Sequence, residues 1–138
     1  RVARRAPLPR NAPSARLAAF DRPKRALGSL GCGAVRLAPP AAGRLGLAEG
    51  IESALSATQM FGVPCWATLG NERFGLVAIP ESVRELHLFI DNDPGGELAD
   101  QRARQAYSAS GRVIRSRAPA SIGFDWNDEL KARLARQT

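Results

Sequence analysis

Five residues, Leu86-His87-Leu88-Phe89-Ile90, run straight into Asp91-Asn92-Asp93-Pro94-Gly95-Gly96. A short apolar run of this kind reads as a buried strand, and the abrupt change to acids, proline and glycine ends it. From 97 to 109 no breaker interrupts the chain, so a helix is expected there with Gly111 as its stop. Strand, acidic turn and helix in immediate succession form the unit of parallel α/β sheets. In such sheets functional groups collect beyond the carboxyl ends of the strands.

The other strands have to come from elsewhere in the chain. Residues 34–37 are expected as a strand ended by Pro39 and Pro40, and 45–48 as a second that delivers Glu49 and Gly50 at its carboxyl end. A helix over 51–61 follows, because Ile51, Leu55, Thr58 and Phe61 fall on or near one face and Gly62 closes it. Residues 63–69 read as the next strand, 71–79 as a short helical or irregular piece stopped by Pro80, 112–116 as a further strand and 128–137 as a terminal helix. At 138 residues the chain fits one domain, expected over 27–138. Residues 1–26, with Pro7, Pro9 and Pro13 among Arg and Ala, read as a basic arm or linker. The prolines oppose the amphipathic helix of a transit peptide. Because the sequence starts with Arg, it is expected to be part of a longer protein, with this arm as the end of an upstream domain.

Charge is distributed unevenly. Residues 1–44 carry ten Arg or Lys and one acid, 45–100 two Arg and nine acids, and 101–138 eight bases and three acids. An acidic middle gathers cations while basic flanks hold polyanions. No apolar run reaches the ~18–20 residues of a membrane span, so no membrane partner is expected. Cys32, Cys65 and the single His87 are too few for a zinc finger or a disulfide scaffold, and a reducing, cytoplasmic setting is expected.

If the strands before Glu49 and Asp91 are neighbours, Glu49, Asp91 and Asp93 converge. Three such charges need a cation, and hard oxygen ligands select magnesium or manganese over zinc. Asp91 and Asp93, two apart on extended chain, point to the same side. The same residues also read as a turn capping the next helix. A calcium loop is ruled out, since its fifth position would be Gly95 and its twelfth Arg102. Alone, Glu49 reads as a solvated strand end and Glu52 as a first-turn acid favoured by the helix dipole.

In order and with these separations, LAEGIESAL (47–55), LFIDNDPGG (88–96) and DWNDEL (125–130) resemble the Toprim domain of primases, type IA and II topoisomerases and related nucleases. The wording is nearest to phage- and plasmid-type primases and primase-helicases, and the resemblance covers about residues 27–137. It implies a compact α/β fold with a four-stranded, mainly parallel sheet flanked by helices. It implies that Asp91 and Asp93 hold Mg2+, with Mn2+ as a substitute, and that Glu49 lies close to the metal as a general acid or base. Asp125 and Asp128 correspond to a further acidic site of primases, in which Phe124 stands where Lys is common.

The activity implied is Mg-dependent nucleotidyl transfer on nucleic acid. It belongs to the catalytic module of a DNA primase that makes primers from NTPs on a single-stranded DNA template in phage or plasmid replication. A Toprim-type nuclease, and a nucleic-acid or nucleotide-binding module without independent catalysis, are the alternatives. Arg102 and Arg104 on the helix after the acidic loop, and Arg112, Arg115 and Arg117 about the late strand, read either as phosphate contacts or as ordinary solvated positions. Tyr107, the single tyrosine, sits mid-helix and argues against a topoisomerase. No Gly-x-x-x-x-Gly-Lys-Ser/Thr is present, so a helicase, like a zinc-binding domain, would be a partner in the same or another chain. Trp66 is expected in the core.

Overall fold

The computed structural model describes residues 31–108 and 111–137, and the arm expected over 1–26 lies outside the described residues. The strand anticipated before the acidic loop is an inner strand of its sheet. The elements are β1 (Val35–Arg36), β2 (Arg44–Ala48), α1 (Ile51–Phe61), β3 (Cys65–Ala67), a 3₁₀ turn (Asn71–Arg73), β4 (Glu85–Phe89), α2 (Pro94–Tyr107), β5 (Val113–Arg117) and α3 (Trp126–Arg136). Strand order is β1-β3-β2-β4-β5. All neighbours are parallel except β1, which pairs antiparallel with β3. The sheet therefore has five strands rather than four, the extra one being a two-residue edge strand.

Side-chain alternation sorts the sheet into two cores. Leu45, Leu47, Trp66, Leu86 and Leu88 face α2 and pack with Ala99, Ala103 and Tyr107. Ala48, Cys65, Ala67 and Phe89 face α1 and α3 and pack with Ala54, Ala57 and Trp126. On that side Phe61 stacks on Phe89 and meets the edge of Trp126, both with ring centroids 5.3 Å apart. Such ring pairs add about 0.5–1.5 kcal/mol each beyond their burial, which fastens the start of α3 to the sheet. Trp66 is buried as expected, and its Nε1 donates to the Ala38 carbonyl at 2.7 Å.

Several boundaries move, each for a local reason. α1 occupies the expected 51–61, and Gly62 closes it in the left-handed region (φ 71°). β3 is shorter than 63–69, since Leu69 turns to φ 71°, yet pairing continues past it: Thr68 N–H donates to Ala48 O at 2.8 Å and Leu69 N–H to Glu49 O at 2.7 Å. α2 begins at Pro94 instead of 97, because proline is at home in a first helical turn and the Asp93 side chain caps it. It ends at Tyr107, and Ala109 lies outside the described residues. α3 begins at Trp126 instead of 128, because Asp125 is its N-cap. Among the described residues no helix is long and apolar enough to cross a membrane.

Candidate functional site at the carboxyl rim of the sheet

β2 and β4 are adjacent and parallel with Ala48 opposite Phe89, so Glu49 and Asp91 leave the sheet side by side at its carboxyl rim. Their carboxyl groups lie within hydrogen-bonding reach of each other. Burial, the contact with Glu49 and the charges of Glu49, Asp93 and Asp125 together raise the Asp91 pKa to about 7. The buried Oδ1 of Asp91 has no hydrogen-bond partner. An acid oxygen so placed costs free energy until a proton or a cation meets it.

Asp93 belongs to the same rim but is held differently. Its Oδ1 accepts the Gly96 N–H at 2.7 Å as the cap of α2, while its charge contributes to the shift of Asp91. Among the described residues no three His, Cys, Asp or Glu side chains form a ready-made ligand set. The tight pair is therefore Glu49 with Asp91, with Asp93 beside it through its capping contact. Hard oxygen donors, one of them buried and unsatisfied, suit magnesium or manganese.

The two glycines of the acidic loop are explained by close approach. A Cβ on Gly96 would stand 2.0 Å from the Asp91 carbonyl oxygen, and one on Gly95 would stand 2.4 Å from Asn71 Nδ2. A side chain at Gly96 would push the acidic loop off the helix that fixes it, whereas one at Gly95 would displace the end of the Asn71 side chain.

Asp125 and Asp128 answer each other. Asp128 N–H donates to Asp125 Oδ1 at 2.8 Å and Asp125 N–H to Asp128 Oδ2 at 3.0 Å, a reciprocal capping box on α3. Burial raises the Asp125 pKa, and its charge reaches Asp91. The chemistry of the further acidic site thus overlaps with a structural duty.

The four arginines expected at phosphates do not share one surface. Arg104, on α2, reaches Asp100 at 3.2 Å and Ser116 at 2.7 Å on one face. Arg102 is half-buried on the same helix. Arg115 pairs with Glu85 at 3.1 Å on the opposite face, and Arg117 lies over the Phe61 ring at 4.7 Å. Arg117 is nearest the rim, its carbonyl accepting the Ile90 N–H at 3.0 Å. Arg133 of α3 meets the same Phe61 ring at 5.7 Å, an association that no sequence pattern announced. Asn92 was likewise missed, for its partners lie 27 and 28 positions away.

Tyr107 is structural. Its hydroxyl donates to Val77 O at 2.8 Å and accepts from Gly75 N–H at 3.0 Å, and burial raises its pKa. Cys65 is an inert core thiol pushed up to about 12 by burial. His87 is buried against Phe89 with Nε2 on Glu85 at 2.8 Å, and burial lowers its pKa.

Residues 44–136 match the sequence model of a Toprim domain. No curated protein matches the chain. A solved structure described as the crystal structure of a DNA primase domain from Pseudomonas aeruginosa is similar at 20% identity and a TM-score of 0.48. The similarity covers 68% of this chain and 32% of that one, so the chain spans about a third of that structure.

Proposed function

From the premise that this chain belongs to the Toprim family, we propose that it is the catalytic module of a primase-like protein of phage or plasmid replication. In this reading it performs Mg-dependent nucleotidyl transfer from NTPs on a single-stranded DNA template. The observation that carries the reading is the contact between Glu49 and Asp91, with an unsatisfied buried Asp91 oxygen, at the carboxyl rim of a parallel sheet. Glu49, Asp91 and Asp93 would hold the ion, with Mn2+ able to substitute. The bound ion would neutralise charge on the phosphate oxygens and orient the attacking and leaving groups.

What the chain's own residues do follows from their surroundings. Asp91 follows β4 and is closely backed by Gly96, and its buried Oδ1 is left without a partner. Glu49 meets the Asp91 carboxyl across the rim, and in this reading it takes or returns a proton at the reacting hydroxyl. Asp93 ties the site to the start of α2. Arg117, at the end of β5 and one strand from the acids, would meet the polynucleotide backbone, with Arg133 beside the same ring.

One observation favours a second reading. With one Asp93 oxygen engaged in capping and no preassembled three-ligand set among the described residues, the module could bind nucleic acid or nucleotide without independent catalysis. A single experiment separates the readings. The chain is incubated with single-stranded DNA, NTPs and Mg2+, and in parallel with DNA and Mg2+ alone. Primer synthesis lost in Asp91→Ala supports the proposal, and NTP-independent cleavage identifies a nuclease. Binding that survives Asp91→Ala plus Asp93→Ala, without turnover in any version, identifies the binding module.

A further inference from the structure

Asn92 stands between the two aspartates of the acidic loop but directs its bonds elsewhere. Its Nδ2 donates to the carbonyls of Pro119 at 2.8 Å and Ala120 at 3.3 Å. Its backbone N–H donates to Phe124 O at 3.0 Å, and its own carbonyl accepts the Gly123 N–H at 2.8 Å. One residue therefore makes four hydrogen bonds to the segment 119–124, which joins β5 to α3.

That segment has little else to hold it. Apart from Pro119, residues 118–123 are exposed, and Ile122 at the tip is 91% exposed. Gly123 turns the chain at φ 85°, and within the segment Phe124 N–H returns to Ser121 O at 3.1 Å. Beyond the buried Pro119, the segment is held by hydrogen bonds from the acidic loop. The tie joins the segment to the backbone between Asp91 and Asp93, so its position follows that of the acids.

We infer that Asn92 is a positioning residue: it sets the 119–124 loop as a fixed wall beside the acids, with Ile122 presented to the nucleobases of the bound strand. This rests on the reading of a polynucleotide at the rim and adds where that strand is received. An unclamped loop would have to be ordered each time a strand binds, and that cost appears in strand affinity and not in the chemical step. A lone exposed isoleucine is ordinary on a protein surface. Its interest here comes from the clamp that holds it beside the acids.

The test compares the full chain with Asn92→Ala, Asn92→Ser and Ile122→Ala. The readouts are kcat, KM for single-stranded DNA, DNA affinity by fluorescence anisotropy, Mn2+ affinity by calorimetry, and amide exchange at Gly123. Asn92→Ala is expected to raise KM and weaken DNA binding by about tenfold, with kcat and Mn2+ affinity within about twofold of wild type. Gly123 exchange is expected to quicken. Asn92→Ser, with one shorter donor, is expected to fall between. Ile122→Ala lies at an exposed tip where folding is not at stake, and it is expected to weaken DNA binding several-fold with Gly123 exchange unchanged.

Unchanged DNA affinity and unchanged Gly123 exchange in Asn92→Ala would overturn the inference. So would loss of Mn2+ affinity with strand affinity intact, and unchanged DNA affinity in Ile122→Ala would remove the wall contact. Failure of the functional reading would look different, as absent turnover and absent DNA binding in the wild type, and the exchange measurement would then still report whether Asn92 holds the loop.

Discussion

Two pairs of close carboxyl groups sit at one rim of this sheet, and they are solved in opposite ways. Asp125 and Asp128 each receive a backbone N–H, so the fold itself supplies the donors that make their proximity tolerable. Glu49 and Asp91 receive none from each other, and one Asp91 oxygen is buried without a partner. The first pair closes a helix end; the second is an incomplete site. Asp93 stands between the two cases, with a cap on one oxygen and its charge directed at Asp91. The difference shows how to tell a structural acid from a ligand in this molecule: by whether backbone donors already satisfy it.

The largest effect should come from removing the incomplete pair. Asp91→Ala or Glu49→Ala is expected to lower Mg-dependent turnover by about 10²-fold or more, measured as primer synthesis or cleavage. Asp128→Ala should lower it far less. Equal losses in the two pairs would erase the distinction.

Proton linkage gives a second, intermediate effect. A carboxyl whose pKa is raised on folding binds its proton more tightly in the folded than in the unfolded chain. In the metal-free protein, stability should therefore fall as pH rises from about 4 to about 7, with the cost of ionising Asp91 fully present above that range. Asp91→Asn should flatten this decline and, at pH 8 in EDTA, stabilise the protein by about 1–2 kcal/mol after allowance for solvent screening. Thermal melts across pH read both. A variant that keeps the wild-type slope would place the proton elsewhere.

The satisfied pair should respond with the opposite sign. Asp125→Ala is expected to destabilise by about 1 kcal/mol through loss of the cap, whereas Asp125→Asn, which keeps a capping oxygen, should be nearly neutral in denaturant unfolding. The smallest effect concerns the basic edge. Arg117→Ala should reduce the slope of log DNA affinity against log salt by about one, without moving Mn2+ affinity.

Much of this was legible because local and global signals agree. The run 86–90 is apolar and short, and it supplies most of the inner strand β4; 51–61 carries its own spacing and a closing glycine, and it forms α1. Glu49 was readable because it follows one strand as Asp91 follows another, and their meeting required only that β2 and β4 be neighbours. Pro94, Gly95 and Gly96 misled about the start of α2, because residues that break a helix interior are compatible with its first turn. The edge strand β1 was legible within 34–37, but its antiparallel pairing with β3 was not, since two residues carry no mark of direction. Asn92 was opaque for a deeper reason: its side chain bonds to carbonyls of Pro119 and Ala120, and a backbone oxygen leaves no mark in sequence.

Anomalous diffraction from crystals of the full chain soaked in MnCl2 tests the central claim most directly. A single manganese peak is expected within about 2.0–2.6 Å, the reach of hard-cation ligation, of carboxylate oxygens of Asp91 and Glu49, and absent in Asp91→Asn. A peak on Asp125 and Asp128 instead, or one that persists unchanged in Asp91→Asn, would contradict the account.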